Sequence, residues 1–174
     1  MSRSGSSTGF TLRLAAVLLA AALAGSTLAN SRDGGVAVPF KGHSSGTVTA
    51  TGFDPATGTA FTHVEGEGQA SHLGHFTVTG DVAVDVATGI PHGTWTLTAA
   101  NGDQLFLDMT GSGIDDHHGF GAFIVTGGTG RFEEASGYYE QIITFAVPLG
   151  TAEVIDYTDV VEGTISGAGS NGHS

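Results

Sequence analysis

The chain has 174 residues, 40% of them hydrophobic and 29 of them glycine, and it contains no cysteine. One domain is the default at this length, and the lack of cysteine excludes a disulfide framework or a lipid-modified cysteine anchor. From Asn30 onward three basic residues (Arg32, Lys41 and Arg131) stand against seventeen acidic ones, a formal balance of −14 that repels nucleic acid and anionic lipid.

The first segment differs from the rest. Arg3 and Arg13 precede the apolar run LAAVLLAAALAG, Leu14 to Gly25, and Thr27 and Ala29 then supply small residues before a cleavage point. A basic start, a short apolar centre and a small-residue exit predict a secretory signal peptide over 1–29, and export to the periplasm or medium. Cleavage after Ala24 is a second option. Ser2, Ser4, Ser6 and Ser7 also fit a plastid transit peptide, the rival reading. The apolar run is too short for a comfortable membrane span. No later run is long enough either, so no membrane insertion is expected after signal removal.

From residue 30 the pattern changes to short alternating segments. TAFTHVE (59–65) sets Phe61 and His63 against Thr62 and Val64. HFTVTGDVAVDV (75–86) repeats valine at period two. GTWTLTA (93–99) sets Trp95, Leu97 and Ala99 against three threonines. QLFLDMT (104–110) sets Leu105, Leu107 and Met109 against Phe106 and Asp108. FGAFIVT (120–126), YYEQIITFAV (138–147) and DVVEGTIS (159–166) complete the series. Such segments are strands with one buried face. Asn101-Gly102 predicts a tight hairpin built on positive φ angles. DPATG and DVATG predict turns that start on Asp54 and Asp85 and end on a left-handed glycine. The expected fold is all-β. It is a single antiparallel up-and-down barrel of about eight strands over 30–166, because closure removes exposed edges. An open sandwich is the alternative. The tail 167–174, rich in Gly and Ser, is expected to be disordered.

TGGTGRFEEASG, residues 126–137, first suggests a phosphate cradle. A phosphate loop needs a lysine after its last glycine, and Lys41 is the chain's only lysine. A dinucleotide fingerprint needs a third glycine and a long helix; here Glu133 takes the glycine's place and alternation resumes at Tyr138. The stretch instead predicts a barrel corner. Gly127 and Gly128 give an unusual backbone path, Thr129 caps a short turn over Gly130 to Ala135, Phe132 plugs the barrel end, and Gly137 closes the turn in a left-handed conformation. Arg131, beside Glu133 and Glu134, is expected on the surface.

The residues Gly127, Gly128, Thr129, Gly130, Phe132, Ala135 and Gly137 between two strands resemble the signature of the allene oxide cyclase and dirigent barrel superfamily. GEGQASHLGHFTVTG (66–80), GTWTLTAANGDQL (93–105) and EGTIS (162–166) keep the order found in small exported bacterial proteins of this barrel type. The resemblance covers nearly all of the chain after the signal. It implies an eight-stranded, calycin-like barrel, often trimeric in plant relatives, and so a homotrimer here. It transfers no activity. Ser136 stands where dirigent proteins usually carry arginine, and the cyclases' catalytic glutamate, proline and asparagine have no secure counterparts.

Other chemistry is weaker. His72 and His75, three apart on a strand, would point to opposite faces, one half-buried and one exposed. DDHH (115–118) reads as a solvated hairpin tip, with weak surface zinc or copper binding as the alternative. Glu65 and Glu67, and Asp81 and Asp85, are expected in solvent opposite the valines. No serine sits in Gly-x-Ser-x-Gly. No metal site and no cofactor are assigned. The candidate site is the barrel interior, lined by Phe61, Phe76, Trp95, Leu97, Leu105, Leu107, Met109, Phe123 and Tyr139, with Phe145 a further aromatic that could face inward. Such a barrel is filled by its side chains or holds one small ligand. Three functions follow: an exported protein that binds a small hydrophobic or phenolic molecule or acts without chemistry; a cyclase-like enzyme that shapes a substrate for intramolecular ring closure; or a weak metal binder.

Overall fold

The computed structural model describes residues 36–167. Segment 1–29, expected from the sequence to be a signal peptide, and the tail beyond Gly167 lie outside the described residues. Eight strands follow in chain order: β1 (Val38–Asp54), β2 (Thr59–Ala70), β3 (Gly74–Asp85), β4 (Ile90–Ala99), β5 (Gln104–Gly113), β6 (His118–Gly128), β7 (Ser136–Phe145) and β8 (Val154–Ser166). Each pairs antiparallel with its sequence neighbours, and β8 returns to β1 to close the barrel. Among the described residues the only helical turn is a 3₁₀ segment, Gly130–Phe132.

The alternation seen in the sequence sorts side chains into and out of the barrel. On β4, Trp95, Leu97 and Ala99 are buried between more exposed threonines. On β5, Leu105 and Leu107 are buried while Phe106 and Asp108 face out. Inward glycines make room for large neighbours. A Cβ on Gly80 would stand 2.9 Å from the indole of Trp95, its cross-strand partner. Each fully buried leucine or phenylalanine contributes about 1.5–3 kcal/mol.

The turns follow local chemistry. Asp54 Oδ1 accepts the Ala56 N–H at 2.9 Å and Asp85 Oδ1 accepts the Ala87 N–H at 2.8 Å. Gly58 and Gly89 then adopt φ of 68° and 70°, the left-handed conformation expected of them. In the β4–β5 hairpin only Gly102 takes a positive φ, not Asn101. The β1–β2, β3–β4, β5–β6 and β7–β8 connections lie at one end of the barrel. The β2–β3, β4–β5 and β6–β7 connections lie at the other.

The glycine-rich corner closes that second end. Phe132, Leu105 and Ile165 have no exposed surface there. Three details differ from expectation. Thr129 makes no side-chain cap; its Oγ1 accepts the Gln104 N–H at 2.9 Å, because the strand β5 left that donor unpaired nearby. Gly137 has φ of 154°, and glycine is needed mainly because a Cβ would run into the Thr164 carbonyl on β8. Arg131 is half-buried rather than a free surface residue. Its Nη2 donates to the Leu73 carbonyl at 3.1 Å and its guanidinium lies 4.8 Å over the Phe132 ring.

Candidate functional site

The inward rows do not fill the barrel evenly. From the open end, the inward positions of β6 read Gly119, Gly121, Phe123 and Val125. Small residues at the first two leave space that the valines of β2 and β3 do not occupy. The result is a cavity of about 320 Å³ at the end carrying the β7–β8 loop. At about 30 Å³ of liquid volume per water this corresponds to roughly ten waters. Val48, Val64, Val82, Val84, Met109, Ile143 and Phe145 wall it, Leu149 sits at its mouth, and Trp95 and Gln141 form its floor. Among the described residues no Asp, Glu, Lys, Arg or His side chain lines it.

Below the floor lies an aromatic layer. Phe123 stacks on Tyr139 with centroids 4.8 Å apart, Phe40 lies 5.1 Å from Tyr139, and Trp95 meets Phe123 edge-on at 5.2 Å. One carboxylate is buried in this layer. Asp159 of β8 accepts the Ser44 N–H at 2.8 Å, the Ser44 hydroxyl at 2.7 Å and the Gln141 Nε2 amide at 2.6 Å. Burial pushes its carboxyl above the usual carboxylate range, against the opposing pull of these hydrogen bonds. Burial also raises the Tyr157 phenol to about 12 and the Tyr139 phenol well above its ordinary value. Both phenols therefore stay neutral. The Trp95 Nε1 and Tyr157 hydroxyl groups are buried without a hydrogen-bond partner among the described residues.

The sequence-expected interior residues separate into three groups. Trp95 and Met109 line the cavity. Phe76, Leu97, Leu105, Leu107, Phe123 and Tyr139 are buried beneath it as core. Phe61 is a correction: it is 42% exposed on the outer face, because Thr62 and Val64 are the inward residues of that segment. Gln141 and Asp159 were missed. Their signal was parity: Gln141 falls in the row of Tyr139 and Ile143, and Asp159 in the row of Ile155, Tyr157 and Val161. A polar residue in phase with buried neighbours is the informative exception.

The other clusters belong to the surface. Glu65, Glu67, Asp81 and Asp85 are exposed. Asp81 holds the His63 Nδ1 at 2.7 Å, and this hydrogen bond raises the imidazole above its usual value. His72 sits in the β2–β3 turn with φ of 63°, and it and His75 are both exposed, which corrects the half-buried expectation. Asp115 Oδ1 accepts the His117 and His118 N–H groups, each at 2.8 Å, and its carboxylate also contacts the His118 ring. It thus stabilises the turn. Among the described residues no group of three or more metal-ligating side chains converges.

No family model matches the chain, and no curated protein matches it. Among solved structures the barrel is similar to that of a pterocarpan synthase dirigent protein, with a TM-score of 0.54 and 13% identity over 79% of this chain and 94% of that one. The likeness is one of fold: a closed eight-stranded antiparallel barrel of dirigent type.

Proposed function

We propose that this protein is an exported binding barrel that takes up one small, uncharged, hydrophobic or phenolic molecule in its open end and performs no chemistry on it. The observation that carries this reading is the 320 Å³ cavity with apolar walls and, among the described residues, no ionisable lining. A void of this size lined by valine and isoleucine gains by exchanging water for an apolar ligand. The signal-like segment 1–29 supports export. A homotrimer is part of the proposal. Its support is an exposed apolar row on the outer face of β6–β8, where Ile124 lies beside Tyr138 and Ile142 beside Val160.

Titration with the neutral probe N-phenyl-1-naphthylamine tests the reading. One probe should bind per barrel with enhanced emission, and Val84→Phe, which extends a ring into the cavity, should abolish the signal without unfolding the protein. A wild-type barrel that gives no enhancement would overturn it. Native mass spectrometry of protein from its host should show a trimer that retains the small molecule.

The second reading, an enzyme that guides an intramolecular ring closure, is favoured by one feature. Asp159 is a buried carboxylate separated from the cavity by a single side chain, Gln141. Its mark would be a bound molecule released as an isomer of equal mass and altered chromatographic retention, lost in Asp159→Asn.

A further inference from the structure

Gln141 carries the amide on the cavity floor, and that amide is not free to turn. Behind it, both oxygens of Asp159 act as acceptors. One takes the Ser44 N–H, and the other takes the Ser44 hydroxyl and Gln141 Nε2. A carboxylate has no proton to give, so Gln141 must direct its NH₂ toward Asp159 and its oxygen away from it. The oxygen lies on the side of Gly121, where a Cβ would stand only 3.1 Å from Oε1, and Gly121 itself lines the cavity. Ser44, Gln141 and Asp159 are 6%, 5% and 6% exposed, so water does not compete freely for these bonds. The floor therefore offers an acceptor of fixed direction. Trp95 borders the same floor and has a buried indole N–H without a partner among the described residues. Thr62 and Ser112 also border the cavity, nearer its mouth, but a hydroxyl rotates to donate or accept and imposes no preference.

We infer that the cavity selects an uncharged molecule that enters with a hydroxyl group leading, and that Asp159 is the positioning residue that sets this preference by orienting Gln141. The inference rests on the binding reading above. A leading hydroxyl donates to Gln141 Oε1, and its own oxygen remains an acceptor of the kind that the unpartnered Trp95 N–H lacks. An ether or ester at the same place offers only acceptors, and its oxygen would oppose the amide oxygen. A leading carboxylate would meet that same oxygen, with no cation on the lining to offset its desolvation.

Calorimetric titration of the full barrel with 2-naphthol and 2-methoxynaphthalene tests this. These probes share a ring system and differ in the donor. The wild type should bind 2-naphthol about tenfold more tightly, the worth of one well-made hydrogen bond. In Asp159→Asn the new amide can itself donate, Gln141 is no longer held in one orientation, and the ratio should fall to within about threefold. Gln141→Leu should lose the ratio as well while keeping its affinity for 2-methoxynaphthalene. If Asp159→Asn does not fold, Gln141→Leu decides. A general packing defect would weaken both probes alike and leave the ratio intact, so a preserved tenfold ratio in the folded variants overturns the inference. Equal binding of the two probes by the wild type also overturns it, and leaves the binding reading standing. Failure of both probes to bind the wild type removes the binding reading itself.

Discussion

The two ends of this barrel are made from the same eight strands and reach opposite results. At the β6–β7 corner Phe132, Leu105 and Ile165 have no exposed surface, and Arg131 ties the corner to the β2–β3 turn through the Leu73 carbonyl. At the other end the inward positions of β6 are Gly119 and Gly121, and about 320 Å³ stays unfilled. The difference is not one of topology, because every strand runs through both halves. It lies in which inward positions carry rings and which carry hydrogens. Close packing and open space are thereby assigned to different ends of one sheet.

Substitutions in each end can break that contrast. The largest effect is expected from Phe132→Ala, about 3–5 kcal/mol in urea unfolding, because a fully enclosed ring leaves a cavity that its neighbours cannot close. Ile143→Ala, at the hollow end, should cost about 2 kcal/mol, since part of its surface already faces a void. Equal losses at the two sites would show that the ends are packed alike and would end the comparison. Arg131→Ala should cost about 1–2 kcal/mol, through the lost bond to Leu73 and the lost contact with the Phe132 ring.

The smallest effect sharpens the boundary between the ends, where Asp159 sits. Its folded carboxyl titrates above the ordinary value of 3.8, chiefly because it is buried. Between that value and its folded pKa the native state holds more protons than the unfolded one. Its contribution is therefore fully present below pH 3.8 and is lost as pH rises through the folded pKa. Wild-type stability measured against Asp159→Asn should decline across that window and level off above it. A difference that does not change with pH would mean that the carboxyl is not perturbed by its surroundings.

Much of this fold was legible because its local rules agree. Period-two alternation, Asp-initiated turns and the glycine corner each indicated strands joined by tight connections, and closure followed from the need to remove edges. The strand β1 was not legible. Its inward positions include Phe40, Ser44 and Val48 separated by glycines, so no apolar row marks it. Phe61 was misread because an aromatic side chain is the usual core residue, yet register places Val64 inside. The floor of the cavity escaped for the opposite reason. Asp159 looks like surface charge until the strand phase shows that it shares a face with Ile155 and Tyr157. Hydrophobicity finds a core; only register finds the polar groups placed within it.

Trp95 has a consequence beyond packing. It is the only tryptophan in the chain, and its ring forms part of the cavity floor. Indole emission shifts with local polarity and is quenched by nearby acceptors of excitation energy. The protein thus contains a single indole, at the floor of the cavity. In a purified sample its spectrum is a label-free way to tell a wet cavity from an occupied one.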